Sequence, residues 1–162
     1  MKVSDVMAFD QTEQRRIMGH FATGITIVTT KIEQELHGMT ANAVTSLSLD
    51  PPLVLVAVDL KAGMHESLRQ SEGFALNILS QAQESLSNRF ATRGPKDFSD
   101  IPCMDSATGS PVFTEALAWV DCRMSEILSG GDHDIFIGEI IAGDANDGEP
   151  LLYFGGKYRS LR

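Results

Sequence analysis

Residues 37–59 read HGMTANAVTSLSLDPPLVLVAVD, and the fold turns on how this run is divided. The Pro51-Pro52 pair splits it into a long strand signal on one side and Leu53–Asp59 on the other. The second part is almost continuously apolar, as expected of a strand buried on both faces. Side chains alternate faces along a strand. From Thr40 to Leu49 the even positions are Thr40, Asn42, Val44, Ser46 and Ser48. The odd positions are Ala41, Ala43, Thr45, Leu47 and Leu49, mostly apolar and suited to a core. The even row offers three hydroxyls and a carboxamide to an elongated ligand with carbonyls at one end and a phosphate at the other, with backbone amides adding donors. On periodicity alone, the plainer reading is the wet face of an antiparallel strand, where Ser and Thr are common.

Upstream, Asp10 to Ala22 reads as a helix. Asp10 caps it, Glu13 stands at the capping-box position, and Ile17, Met18 and Phe21 share a face. Gly24 ends it, Ile25–Thr30 (ITIVTT) follows as a β-branched strand, and Lys31–Glu35 is a polar turn. Downstream come a short helix over Met64–Ser71 and a strand over Phe74–Leu79. Ser80 then opens a second helix, with Gln83 at its capping-box position and Leu86 and Phe90 on one side. Thr92–Pro111 has little periodicity and reads as a long surface connection. Ala116–Leu128 resumes as a strand, with Ala118, Val120, Cys122 and Met124 facing one way. SGGDHD (129–134) makes a tight turn to its hairpin partner Ile135–Gly143. Asn146-Asp147-Gly148 is a further turn before the closing LLYFGGKYRSL. Roughly seven short strands with two or three helices point to an antiparallel β-barrel with helical decoration. The helices do not alternate with the strands as a doubly wound sheet requires. No GxGxxG follows a strand and no P-loop is present.

The chain is 162 residues long, 43% apolar and 22% charged, which suits one soluble globular domain spanning 1–162. Its formal net charge of −9 lacks the basic excess that nucleic-acid binding needs. A phosphorylated ligand would have to be held by a local cluster of donors. Cys103 and Cys122 form no CxxC pair, and with four scattered histidines they show no metal-ligand spacing. Buried or idle thiols are a simpler reading than a disulfide. The opening MKVSDVMAFDQTEQRR has no apolar core of leader length, and no segment approaches membrane-spanning length; a cytoplasmic protein is the expectation.

The segments FATGITIVTT, GMTANAVTSLSLDPPLVLVAVD, FALNIL, SLSNRFA and GGDHDIFIGEI occur in this order. Together they resemble the short-chain flavin reductase family, the reductase components of two-component flavin monooxygenases. The likeness runs from about Phe21 to Leu161. It implies an FMN-binding split β-barrel, a Greek-key antiparallel barrel with a few flanking helices. It implies that FMN or FAD is reduced by NADH or NADPH, and that the protein is a homodimer serving a flavin-dependent monooxygenase. Flavin mononucleotide has the elongated shape that the polar row could hold. Carried over residue by residue, the resemblance places Thr40, Ala41 and Asn42 near the isoalloxazine, Ser46 and Ser48 nearer the phosphate, and Ala57 beside the ring. Lys61 stands where relatives often carry a basic residue, although an exposed strand-end lysine is an equal reading. Relatives often follow it with small hydroxyl residues, whereas this chain has Ala62-Gly63-Met64, which leaves FMN against FAD open.

The resemblance also associates the histidine of the GDH turn, His133, with the nicotinamide, where it would act as a positioning group; Asp132 is read as shaping the turn. Arg89 and Phe90 match a segment that reaches the flavin, though a core role for Phe90 is an equal reading. Tyr158 and Arg159 match the closing segment near the site or dimer interface. Trp119, the only tryptophan, reads as packing. The alternatives are a split-barrel flavin oxidase or electron carrier without free-reductase activity, and a ligand-free barrel acting as an interaction module.

Overall fold

The structure is a computed structural model describing residues 8–162; residues 1–7 of the opening segment read above lie outside the described residues. Its centre is an antiparallel seven-stranded sheet in the order β3-β2-β6-β9-β10-β5-β4. The strands are β2 (Thr26–Ile32), β3 (Glu35–Ala41), β4 (Val44–Leu49), β5 (Pro52–Asp59), β6 (Gly73–Ile78), β9 (Ala118–Gly130) and β10 (His133–Ala145). The two edges of this sheet, β3 and β4, are consecutive in the chain and separated only by Asn42 and Ala43. A flat sheet cannot bring its opposite edges that close, so the sheet curls on itself, as expected when a twisted sheet closes toward a barrel. Ala57 N–H donates to the Ala43 carbonyl at 2.9 Å while Ala41 pairs with Thr26, so both edges are tied at this corner.

The long strand expected over residues 37–49 is therefore two strands with a corner at Asn42. A second irregularity lies in β4, where Ser46 pairs with Val54 but Ser48 pairs with Leu53, leaving Leu47 as a bulge. The alternation expected along this run fails for both reasons. Val44, an even position, packs against the core, whereas the odd Leu47 and Leu49 are exposed.

Inside the barrel Val28, Val54, Val56, Val58, Phe74, Cys122 and Phe136 form the core, closed at one mouth by Met64 and Leu68 of α2 (Gly63–Gln70). β5 is not buried on both faces: Val54, Val56 and Val58 are buried, while Leu53, Leu55 and Ala57 are half-buried on the outer side. A second core lies outside the barrel over β2 and β6. There Ile27, Leu79, Phe90, Ile101, Phe113 and Leu151 pack under α3 (Glu84–Ala91) and the connection that follows it. Ser80 N–H donates to Gln83 Oε1 at 2.9 Å and so opens that helical segment as expected. Gly38 of β3 is there because Phe90 lies against it; a Cβ at this position would stand 2.6 Å from Phe90 Cε1.

Other boundaries also moved. α1 covers Gln11–Met18, its last residue four earlier than expected and capped by Gly19, and Asp10 Oδ1 accepts the Glu13 N–H at 2.8 Å. Its Ile17 and Met18, and Phe21 beyond it, are exposed. The polar turn narrows to Glu33-Gln34, with Glu33 at positive φ. The connection after α3 carries β7 (Cys103–Asp105), paired with β8 (Pro111–Phe113). Near the chain's end β1 (Thr23–Gly24), β11 (Leu152–Phe154) and β12 (Lys157–Arg159) form a three-stranded sheet.

Candidate functional site

Cross-strand partners in an antiparallel pair share a face, so the strand registers assign the residues on the outer wall of β4-β5-β10. His133 pairs with Asp59, Ile135 with Ala57, Ile137 with Leu55 and Glu139 with Leu53. From β4, Thr45 joins Leu55 on this face and, past the bulge, Ser48 joins Leu53. The result is a shallow apolar strip of Leu53, Leu55, Ala57, Ile135 and Ile137 with a polar rim. The strip extends about 13 Å along β5, from Leu53 to Ala57, at the usual strand rise.

At the corner, Asn42 and Ala43 are exposed. Among the described residues neither their N–H groups nor the Asn42 carboxamide finds a hydrogen-bond partner. This follows from the closure itself: the β3 ladder ends at Ala41 and the β4 ladder starts at Val44. A bare pair of amides at the edge of an apolar wall suits a planar heteroaromatic ligand with carbonyl acceptors on one side.

Just beyond the corner, at the C-terminal end of β5, the Gly131-Asp132 turn connects β9 to β10. Gly131 takes φ 76° as the first central residue of the turn, the position that a type II′ hairpin reserves for glycine. His133 is partly exposed there, and its Nδ1 lies 2.8 Å from Asp132 Oδ1. Asp132 thus does more than shape the turn: it orients the ring. The hydrogen bond with His133 holds the Asp132 carboxyl below its usual range, with Lys61 adding a smaller attraction. Asp132 also accepts the Leu60 N–H on its backbone carbonyl at 3.0 Å, tying the hairpin to the connection after β5. Lys61 lies on that connection, with its own N–H held by Asp59 Oδ1 at 2.7 Å and its side chain exposed.

Asn42, Ala57, Lys61 and His133 are brought to one end of the wall, and Ser48 to the other; Ala41, expected beside the ring, is instead buried in the barrel core opposite Thr26. Thr40, Ser46, Arg89 and Phe90 do not join them as drawn from the sequence. Thr40 faces α3, and its hydroxyl donates to the Ser87 carbonyl at 2.6 Å. Ser46 pairs with core-facing Val54, so the bulge sets it on the opposite face from Ser48. Phe90 is 1% exposed and packs edge-on against Phe98, with centroids 5.1 Å apart. The Arg89 guanidinium is held by Asp100 through bonds of 2.6 and 2.9 Å. Tyr158 binds α3 through Ser87 Oγ at 2.7 Å, and Arg159 pairs with Leu152 in the closing hairpin. Trp119 is half-buried in β9. Cys103 and Cys122 are free thiols, and among the described residues there is no cluster able to hold a metal ion. The sequence reading missed Thr45, which the bulge-free alternation had placed toward the core.

Comparison with known proteins bears on this arrangement. Residues 18–162 match the family model described as a flavin reductase like domain. Over 158 residues, 98% of this chain and 85% of the other, it is 40% identical to the reductase component of a 4-nitrophenol 4-monooxygenase/4-nitrocatechol 2-monooxygenase from Rhodococcus opacus. The solved flavin reductase PheA2 in its native state superposes with a TM-score of 0.88 at 43% identity, covering 95% of this chain and 99% of that one. The NADH:FAD oxidoreductase SgcE6 of Streptomyces globisporus, solved with NAD and FAD fragments, superposes with a TM-score of 0.89 at 37% identity, covering 94% and 93%.

Proposed function

This chain belongs to the flavin reductase-like family, and from that membership and the wall's geometry we propose how it works. It is an NADH-dependent flavin reductase built on a mainly β split barrel, with residues 1–162 as one domain. Its flavin is FMN or FAD, and the reduced flavin serves a partner monooxygenase. The observation that carries the assignment to this wall is the pair of unpartnered amides at Asn42 and Ala43, on an apolar strip that ends at His133.

When bound, the flavin supplies the acceptor for hydride from the nicotinamide, which is the cofactor's own chemistry. The protein's part is placement. Leu55, Ala57 and Ile135 offer a flat apolar surface for the ring. The Asn42 and Ala43 N–H groups, which no acceptor inside the described chain engages, would offer donors to the carbonyl side of a bound ring. Ser48 and Thr45 offer neutral donors farther along, and Lys61 a cation at the opposite end. His133, its ring held by Asp132, positions the nicotinamide; no general acid or nucleophile is needed for hydride transfer, only near-attack geometry.

The half-buried Leu53, Leu55, Ala57 and Ile135 of the strip, with Leu47 and Leu49 exposed beside them, support a homodimer in which a second copy completes the wall. No described helix is long and apolar enough to cross a membrane, and we place the protein in the cytoplasm. The test is direct. Purified protein mixed with NADH and excess FMN, then FAD, should consume nicotinamide absorbance at a rate that scales with enzyme. No loss with either flavin would overturn the proposal.

A further inference from the structure

We propose that Asp134 is a positioning residue for the nicotinamide side of this reaction, fixing the β5–α2 connection against the hairpin that carries His133. The inference rests on the reductase reading above and extends it to residues on the other face of β10.

Asp134 alternates with His133 along β10, so it points away from the wall into the barrel mouth, opposite Val58. It is 7% exposed. Its Oδ2 is held by two side chains one turn apart on α2: His65 Nε2 at 2.7 Å and the Arg69 guanidinium through Nη1 at 3.1 Å. The His65 ring is itself set edge-on against Phe136, with centroids 5.7 Å apart. Two residues earlier in the hairpin, the Asp132 carbonyl holds the Leu60 N–H. The connection Leu60-Lys61-Ala62 is thus pinned through residues 132 and 134, on either side of His133, with Lys61 between the pins.

A purely structural role explains this clamp poorly. Met64 and Leu68 already seat α2 in the barrel core. Apolar packing is not directional, whereas a carboxylate held by two N–H donors on one oxygen fixes where the helix sits and how it is rotated. The bonds from His65 and Arg69 hold Asp134 in its charged form, as a permanent clamp requires.

The experiment compares wild type with Asp134→Asn, His65→Leu and His65→Gln. It records NADH KM and kcat, flavin Kd by fluorescence quenching, and Tm. Asp134→Asn and His65→Leu should each raise the NADH KM about tenfold, the scale of small misplacements of a positioning group. kcat should stay within about twofold, and flavin Kd should move less than the NADH KM, because exposed Lys61 is the one flavin contact proposed on the pinned connection. His65→Gln, which keeps an N–H donor at similar reach, should restore most of the KM lost in His65→Leu. Unchanged KM in both Asp134→Asn and His65→Leu, or a fall in Tm with no split between KM and kcat, overturns the inference. If Asp134→Asn does not fold, the His65 pair decides it. A wild type that oxidises no NADH with flavin removes the reductase reading and this inference together, whereas an active wild type with unaltered variants removes only the inference.

Discussion

The barrel has two outer faces made of similar residues and put to opposite use. Over β2, β3 and β6 the polar groups are used up internally. Thr40 donates to Ser87, Thr29 to the Pro111 carbonyl at 2.6 Å, and buried Asn77 donates to the Ile27 carbonyl while accepting the Phe113 N–H. α3 and the connection after it cover the apolar remainder. Over β4, β5 and β10 the apolar residues Leu53, Leu55, Ala57 and Ile135 stay only half-buried, and among the described residues the corner amides at Asn42 and Ala43 have no internal partner. A hydroxyl or amide in the sequence does not say which of these fates awaits it. Satisfied polar groups specify a core, whereas exposed donors with no internal partner beside an apolar strip are free to engage a ligand.

The widest separation between the faces should appear on deleting Phe90. Phe90→Ala removes a buried ring from the covered face and should cost about 3–5 kcal/mol of stability by denaturant unfolding. Flavin affinity of the molecules that remain folded should not change. A selective loss of flavin binding would merge the two faces and return Phe90 to the site. Next in size, His133→Ala acts on the open face alone. NADH KM should rise about tenfold, with flavin Kd and Tm unmoved, as expected when an interaction that holds the substrate is removed. Unaltered steady-state NADH oxidation would mean that the turn histidine has no part in binding.

How far the sequence reached follows from the same division. The hairpin turn at Gly131-Asp132, the capped start at Asp10, and the strands Thr26–Ile32, Gly73–Ile78 and His133–Ala145 were legible, because turn chemistry and β-branched runs are local signals. The corner at Asn42 and the bulge at Leu47 were not. Both arise from closure, in which β3 and β4 must meet after sitting on opposite edges of the sheet. No period in residues 37–49 encodes that long-range demand. Thr40 and Ser46 were therefore drawn in one row with Asn42 and Ser48, and register placed them elsewhere. Ile17, Met18 and Phe21 do share apolar character, yet among the described residues no partner covers them. His65, Arg69 and Asp134 escaped notice because they are 65 or more residues apart in pairing and carry no motif.

A matched pair of small substitutions sharpens the contrast. Asn42→Ala should weaken flavin binding by a few-fold, on the order of one lost hydrogen bond, and leave Tm within error because its carboxamide has no internal partner. Thr40→Val should do the reverse, lowering stability by about 1 kcal/mol through loss of the bond to Ser87, with flavin Kd and NADH KM untouched. Equal effects of the two on flavin Kd would mean that α3 moves aside and that the covered face is not permanently covered.

The smallest expected effect tests whether the Asp132–His133 contact orients the ring. The hydrogen bond lowers the Asp132 carboxyl below its ordinary value. The contribution of such a group is complete above the unfolded-state value and is lost only as pH falls through the lower folded one. Between pH 8 and 5, then, Asp132 stays ionised, and NADH KM should show no inflection from it. Asp132→Asn keeps an oxygen within reach of His133 Nδ1 but removes the charge, so KM should rise by only about twofold, with no loss of Tm. A carboxylate inflection in the wild-type KM between pH 8 and 5 would show that Asp132 is not held ionised by its neighbour. The ring's orientation would then have to come from the bound nicotinamide, because among the described residues Asp132 is the one hydrogen-bond partner of the imidazole.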